Sequence, residues 1–287
     1  MKTIVYLLLL PLFLFFQSCE PDPQEEKIAT DWIQLFNGEN LAGWDIKIRG
    51  YELNRNNKNT FRIEDGYLSV GYDEYTSFDE SFGHIFYKEP FSYYHLAVEY
   101  RFVGEQCAEG PGWAIRNSGM MIHSQSAKSM GLDQDFPISI EVQLLGGNGT
   151  DPRSNCNLCT PGTNVVMGDT LFTRHCINST SKTYHGEQWV RAEVIAYGDS
   201  LIKHIVEGDT VLSYNKPQIG GGNVSGHEVY AKEDGKLLTG GYISLQSESH
   251  PIQFRKVELL NLEGCMDRKA KNYKAHYVKA DNSKCKY

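Results

Sequence analysis

Two polar side chains, Glu141 and Gln143, sit two residues apart inside an otherwise apolar stretch, "ISIEVQLL", Ile138 to Leu145. On an extended strand, side chains alternate between faces. Ile138, Ile140, Val142 and Leu144 then share one face and enter a core. Ser139, Glu141 and Gln143 share the other. Two further segments repeat the pattern. In "NSGMMIHS" (Asn117 to Ser124), Ser118, Met120 and Ile122 alternate with Met121 and His123. In "YISLQSES", Ile243 and Leu245 alternate with Ser244, Gln246 and Glu248. Polar groups from three strands can thus converge on one surface, with His250 and Arg255 just beyond. One Glu, one His and an Arg or a metal ion would supply a base, an acid and a stabiliser for developing negative charge. Each residue also has a structural alternative. Glu141 can pair with Arg255 in a salt bridge, His123 can be a packing histidine, Gln246 can bond a loop, and Arg255 can be a solvated strand-end charge.

The elements that must position these groups are short. Segments such as "TFRIEDGYLSVG", "HLAVEYRF" and "WVRAEVIAYGDSLIKHIVEGDTVLSY" alternate and are broken by Gly, Asn and Asp. "EDG" and "EGD" between them are hairpin turn signals. No segment shows a long 3.6-residue periodicity, so the pattern predicts an all-β sandwich or jelly roll. Two stretches interrupt it: residues 150–184, which carry three cysteines, and the Gly-rich "QIGGGNVSGHEVYAKEDGKLL". Loops this long are either functional or a cover tied over a sheet edge.

The N-terminus reads as a targeting segment. "MKTIVYLLLLPLFLFFQSC" has one Lys, an apolar run too short for the roughly 20 residues of a bilayer span, and a Cys after a small residue. It resembles a bacterial lipobox, which implies a signal peptide over residues 1–18 and a lipid on Cys19. Residues 19–30 then form a flexible acidic tether. The expected location is the bacterial cell envelope, lipid-anchored in the outer membrane, on either face.

Seven cysteines are present. Removing Cys19 leaves Cys107, Cys156, Cys159, Cys176, Cys265 and Cys285. An even count in an oxidising compartment favours disulfides. Cys265 and Cys285 flank a short tail and pair with each other, and the other four make two bridges in one of three connectivities. "CNLC" with "RHC" offers a zinc site as the alternative, by ligand type. A thiol redox pair at Cys156 and Cys159 lacks a surrounding βαβ pattern. The net charge is −8 and no basic run occurs, which argues against nucleic-acid binding. Three Asn-x-Ser/Thr sequons read as incidental in a bacterial lipoprotein. Residues 264–287 are Lys-rich, without alternation, and form a Cys-bounded module. There Asp267, Asn272, Asp281 and Asn282 could offer oxygens to Ca²⁺, or the module is a disulfide-tied cap without metal.

Four ordered motifs carry a family resemblance: "WIQLFNGENLAGW", "NSGMMIHS", "IEVQLLGG" and "GGYISLQSESHPIQFRKVELLNL". Together, over residues 31–262, they resemble the 3-keto-disaccharide hydrolase family (the DUF1080 domain). The resemblance implies a concanavalin A-like jelly roll of two antiparallel sheets with a sugar site on its concave face. It also implies cleavage of 3-keto disaccharides or 3-keto glycosides. A ketone at C3 acidifies the proton on C2; a base removes it, the enolate expels the C1 substituent, and water adds to the enone. On this reading Glu141 is the general base and His123 its acid/base partner, or both are ligands of a divalent ion such as Ca²⁺ or Zn²⁺. Gln143, Gln246, His250, Arg255 and Trp113 bind substrate. Ordinary glycoside hydrolysis would instead need a second carboxylate, for which Glu99, Asp133, Asp135 and Glu248 are candidates. The alternative from another class is a carbohydrate-binding, lectin-like surface lipoprotein without catalysis. In it Trp113, Tyr72 and Tyr184 stack on sugar, while Trp32 and Trp44 fill core positions.

Overall fold

The computed structural model describes residues 31–228 and 232–287. The signal segment, Cys19 and the acidic tether lie outside these residues, as does the middle of the second Gly-rich excursion. The described chain is an all-β, jelly-roll-like sandwich of two large sheets, each antiparallel throughout.

The seven-stranded sheet runs, in spatial order, Cys176–Ile177, Asn157–Cys159, Ile140–Leu145, Asn117–Ser124, Tyr242–Ser247, Gly83–Tyr87 and Trp44–Ile48. The ten-stranded sheet is centred on the long strands Val190–Tyr197, Tyr93–Phe102 and Ile252–Asn261. The short opening strand Ile33–Gln34 pairs onto the last of these, with Ile33 opposite Leu259. Alternation decides which side chains meet between the sheets. Ile140, Val142 and Leu144 do so, with Met120, Ile122, Ile243 and Leu245 from the neighbouring strands. Their partners in the ten-stranded sheet include Leu96, Val98, Tyr100, Val194, Phe254 and Leu259.

The outward residues of the seven-stranded sheet line up in rows. One row crosses six strand pairings: Asp45, Phe86, Ser244, Met121, Glu141, Cys159 and Cys176. The next contains Lys47, His84 and Gln246, and, further along, Gly119, Gln143 and Asn157. Register therefore gathers the polar residues of distant segments on one face.

Alternation fails at His123. Its φ is +48°, and the register with the Tyr242–Ser247 strand shifts there. Ile122 and His123 together oppose the single residue Ile243, which is a β-bulge. The bulge turns His123 inward, where Tyr94 of the opposite sheet meets it.

Two disulfides form, Cys159–Cys176 and Cys265–Cys285. The expected third bridge does not: Cys107 is half-buried and free, and Cys156 is fully buried and free. Cys107 lines a pocket with Arg62, Tyr72 and Tyr75, whereas Cys156 packs beside Ile205, so the two remaining thiols do not meet. Cys156 joins the core between the sheets, its Sγ 3.9 Å from the Ile205 carbonyl, while Cys159 stands on the outward row. The same divergence separates Cys156 from the ligand set of the zinc alternative.

The Cys-bounded tail docks on the sandwich through the Leu262 carbonyl, which accepts from the amides of Val278 and Lys279. Its four oxygen-bearing residues are all engaged within the tail. Asp267 accepts from the Lys269 amide and the Tyr287 hydroxyl, and Asn282 from the Met266 amide. Asn272 ties Lys284 and Lys286, and Asp281 takes Ser283 and Lys284. They hold turns together.

Candidate active site

A cavity of about 710 Å³ opens on the outward face of the seven-stranded sheet. Glu141 and Gln143 come to it from the Ile140–Leu145 strand, Asn117 from its neighbour, and Glu248 from just after Tyr242–Ser247. Segments outside these strands supply Trp113, Arg153, Asp135, Phe136 and Val224. The second Gly-rich excursion thus reaches the site: Ser225 ties it down by donating amide and hydroxyl hydrogens to Asp135, at 2.8 and 2.7 Å. His175 borders the cavity beside the Cys159–Cys176 bridge.

Two glutamates, Glu141 and Glu248, line this cavity. Both are almost completely buried. Gln246, also buried, donates its Nε2 hydrogen to Glu248 Oε1 at 2.9 Å. Glu248 Oε2, Gln246 Oε1 and Asn117 Oδ1 are buried without a hydrogen-bond partner. Such orphans are rare in native proteins and mark places where a ligand, ion or water completes the set.

Gly119 makes the cluster possible. A Cβ built there would lie 2.8 Å from both Cγ and Oε1 of Glu141, and 3.1 Å from Gln246 Oε1. Glycine inside a strand interior is a packing loss accepted where other groups must approach closely. Here the groups are the two polar side chains of the neighbouring strands.

The electrostatics follow from what is missing. Among the described residues, no Lys or Arg forms an ion pair with Glu141 or Glu248. Burial pushes the Glu141 carboxyl up from its ordinary range. Burial, and then the charge of Glu141, push Glu248 well above its own. Two such carboxyls resist ionising together, so the pair titrates as a unit. The cation that lines this cavity is Arg153. Its Nη1 donates to the carbonyls of Ile115 and Gly146, both at 2.7 Å, and burial lowers its pKa.

The structure brings together Glu141, Gln143, Gln246 and Trp113 of the sequence-derived set. Gln143 accepts from Asn157 Nδ2 at 3.0 Å. Trp113 is 56% exposed at the cavity edge and stacks on Phe82, with centroids 6.0 Å apart.

It does not bring in His123. That ring lies in the core, with Nδ1 3.1 Å from the Tyr94 hydroxyl and Nε2 3.0 Å from the Gly198 carbonyl. A carbonyl only accepts, so Nε2 carries the hydrogen and Nδ1 accepts from Tyr94. Burial lowers its pKa to about 4, which keeps it neutral. It is a packing histidine, excluded as partner or ligand of Glu141.

Arg255 is on the wrong sheet. It follows the inward Phe254 on Ile252–Asn261 and so stands on the outer face of the ten-stranded sheet, where its Nε donates to Glu99 at 2.6 Å and its guanidinium lies over Trp189. It neither binds in the cavity nor pairs with Glu141, and Glu99 is thereby removed as a second carboxylate.

His250 packs edge-on against Phe102, outside the cavity lining, with neither nitrogen partnered. Tyr72 is buried, and its hydroxyl accepts from the Ser249 amide. Tyr184 is buried too, away from this cavity. Neither offers a stacking face there. Trp44 fills the core as expected, but Trp32 packs edge-on against His95.

Gly119, Asn117, Arg153 and His175 are absent from the sequence-derived set. The Gly inside "NSGMM" is a usable signal of close approach. Arg153, in an irregular loop, carries none.

Two donor sets could hold a metal. Ligand atoms of Cys159, His175 and Cys176 lie within 4.8 Å of one another, but the two sulfurs are joined and offer no thiolate while the bridge stands. Glu141, Glu248 and the unpartnered oxygens of Gln246 and Asn117 form an oxygen set, the chemistry of a hard divalent cation.

No curated protein matches the chain significantly. Among solved structures, two Parabacteroides distasonis ATCC 8503 proteins, provisionally classed as glycosyl hydrolases, are similar. One is 18% identical with a TM-score of 0.49, covering 83% of this chain and 97% of that one. The other is 16% identical with a TM-score of 0.48, covering 80% and 99%. The exoplasmic/lumenal domain of VIP36, bound to Ca²⁺ and Man3GlcNAc, has 9% identity and a TM-score of 0.45, with 87% and 95% covered. No residue of this chain is assigned from them. The family profile described as 3-keto-alpha-glucoside-1,2-lyase-like domain matches residues 31–260, which is most of the chain, and the protein belongs to that family.

Proposed function

We propose that this carbohydrate-active protein cleaves the glycosidic bond of 3-keto disaccharides or 3-keto glycosides by elimination followed by hydration. The observation that carries the reading is the pair of buried carboxyls, Glu141 and Glu248, facing one cavity without a cationic partner.

Glu141, as the ionised member of the pair, takes the proton from C2 of the keto sugar. The electron pair left on C2 moves into the C3 carbonyl. Arg153, the cation lining the cavity, would stabilise the resulting enolate oxygen. As the enolate collapses, the C1–O bond breaks and Glu248 gives its proton to the departing oxygen. Water then adds across the enone, with its hydroxyl at C1 and its proton at C2. A proton-holding acid beside an ionised base of the same residue type is what two environments with separated pKa values produce. Gln246 orients Glu248, Gln143 and Asn117 bind hydroxyls, and Trp113 gives the sugar a stacking face. Glu248 takes the acid role that the sequence pattern suggests for His123.

A second reading of the same cluster is supported by its orphaned oxygens. Glu141, Glu248, Gln246 and Asn117 would hold a hard divalent cation, which supplies Lewis-acid stabilisation of a developing oxyanion. Residues 1–30 support export and anchoring in the cell envelope by a lipid on Cys19.

The test incubates mature Cys19→Ser protein with a 3-keto disaccharide and with its unoxidised parent, each with and without EDTA. Monosaccharide release from the keto sugar alone, insensitive to EDTA, is the expected result. EDTA sensitivity moves the assignment to the cation reading. Cleavage of the parent sugar points to two-carboxylate hydrolysis. Binding without release from either leaves a lectin-like protein.

A further inference from the structure

The tail after the last long strand differs from the body in charge. Residues 264–287 hold seven Lys or Arg and two Asp, in a chain whose net charge is −8. The body therefore carries more than the whole of that negative charge. Arg268, Lys269, Lys271, Lys279, Lys284 and Lys286 are exposed. The two acids hold the tail's own turns together: Asp267 takes an amide and the Tyr287 hydroxyl, and Asp281 takes Ser283 and Lys284. Arg268, Lys269 and Lys286 are left with no carboxylate partner among the described residues. Between these cations stand exposed apolar side chains: Met266, Val278 and Tyr287. The Cys265–Cys285 bridge holds this surface in shape.

Its position matters as much as its charge. The chain enters the sandwich at Ile33, in register with Leu259. Leu259 is two residues from the end of its strand at Asn261, and the tail's first pairing is Glu263 with Lys279. Entry point and tail therefore sit at the same end of the same strand. The segment from Cys19 to Asp31 can span at most roughly 40 Å when fully extended. A lipid on Cys19 would keep the tail within reach of the headgroups.

We propose that the tail is a binding surface for the anionic phosphates of a membrane, and that it lays the domain against the bilayer that holds its lipid. The role in orientation rests on the lipid-anchor reading; the binding itself does not. Clusters of four to eight cations act in this way on anionic bilayers, and exposed apolar side chains among them add interfacial contact. The attraction must weaken with salt.

The test uses the mature chain with Cys19→Ser, so that no lipid contributes. Vesicles of one-third phosphatidylglycerol in phosphatidylcholine are compared with pure phosphatidylcholine in a sedimentation assay. The expected result is binding to the anionic vesicles only, lost at high salt. It should weaken at least tenfold in Arg268→Glu/Lys269→Glu/Lys286→Glu, and little in Arg55→Glu/Lys88→Glu/Lys216→Glu on the body. Equal loss in both variants, equal binding to both vesicles, or no binding overturns the proposal. Inorganic phosphate displacing the protein at constant ionic strength, where chloride does not, would mean a discrete phosphate site and overturn the membrane assignment. The mass of the mature protein made in cells reads lipidation separately. An unmodified Cys19 would refute the anchor while leaving the vesicle result standing.

Discussion

The outer faces of the two sheets carry the same acidic residue on the same kind of strand, and treat it in opposite ways. On the ten-stranded sheet, Glu99 and Glu258 meet Arg191, at 3.4 and 3.0 Å, and Glu193 meets both Arg191 and His95. Arg255 adds a second contact to Glu99. Burial works against ionisation there, but the guanidinium and imidazole partners overcome it, and Glu99 and Glu193 are held below the ordinary carboxylate range. On the seven-stranded sheet, Glu141 and Glu248 meet an amide and each other, and both are held above it. Acidity alone therefore does not mark a site. An acid that the fold has buried and left without a counter-charge does, because the fold gives up stability to keep it so.

The comparison breaks most visibly at Glu141. Glu141→Gln would remove the proposed base while keeping the side chain's shape. Turnover of the keto sugar should fall by about three orders of magnitude while calorimetric sugar binding persists; unchanged turnover would remove Glu141 from the mechanism. Glu248→Gln should cost about a hundredfold in kcat, because the leaving oxygen loses its proton donor.

The pair also has a stability signature. A carboxyl whose folded pKa is raised contributes stability that is complete below its unfolded pKa and is lost as pH rises through the folded value. Glu248→Gln should therefore flatten the alkaline decline of Tm, which a pH series of thermal melts reads directly. Glu99 has the opposite sign: its contribution is present at neutral pH and disappears as pH falls through the carboxylate range.

Gly119→Ala sharpens the comparison without altering charge. The new methyl would press on Glu141 and Gln246, and should cost about 1–3 kcal/mol in stability and about tenfold in kcat, with KM less affected. Arg255→Ala sits at the small end. It should leave turnover unchanged and cost about 0.5 kcal/mol, since the guanidinium is 44% exposed and the pair is screened. That cost should fade in acid.

Much of this arrangement is legible in the amino-acid sequence. The alternation in Ile138–Leu145 places Glu141 and Gln143 outward correctly, because a strand's period is fixed by its backbone. The same rule misplaces His123, because a bulge adds one residue to the count and no local signal marks it. Arg255 is misplaced for another reason: nearness in sequence to Gln246 does not tell that the next strand, Ile252–Asn261, crosses to the other sheet. Glu248 is one of four equal candidates by sequence, which cannot say which acids find a cation. Strand pairing between distant segments decides that, as with Glu99 and its two partners Arg191 and Arg255, 92 and 156 residues away. Arg153 and His175 arrive on irregular loops, whose paths are set by what they pack against.

Cys156 has a consequence for how the chain matures. Three thiols, Cys156, Cys159 and Cys176, lie within one short stretch of sequence, and only one of their three pairings is native. Once Asn157–Cys159 zips onto its neighbours, Cys159 and Cys176 stand face to face as cross-strand partners. Cys156 is then sealed inside, its thiol pushed up in pKa by burial and thus a poor nucleophile. Strand pairing acts as the proofreader of oxidation. An oxidant that acts before the sheet closes can trap Cys156 in a wrong bridge, whereas one that acts afterwards finds only Cys159 and Cys176 facing each other among the three.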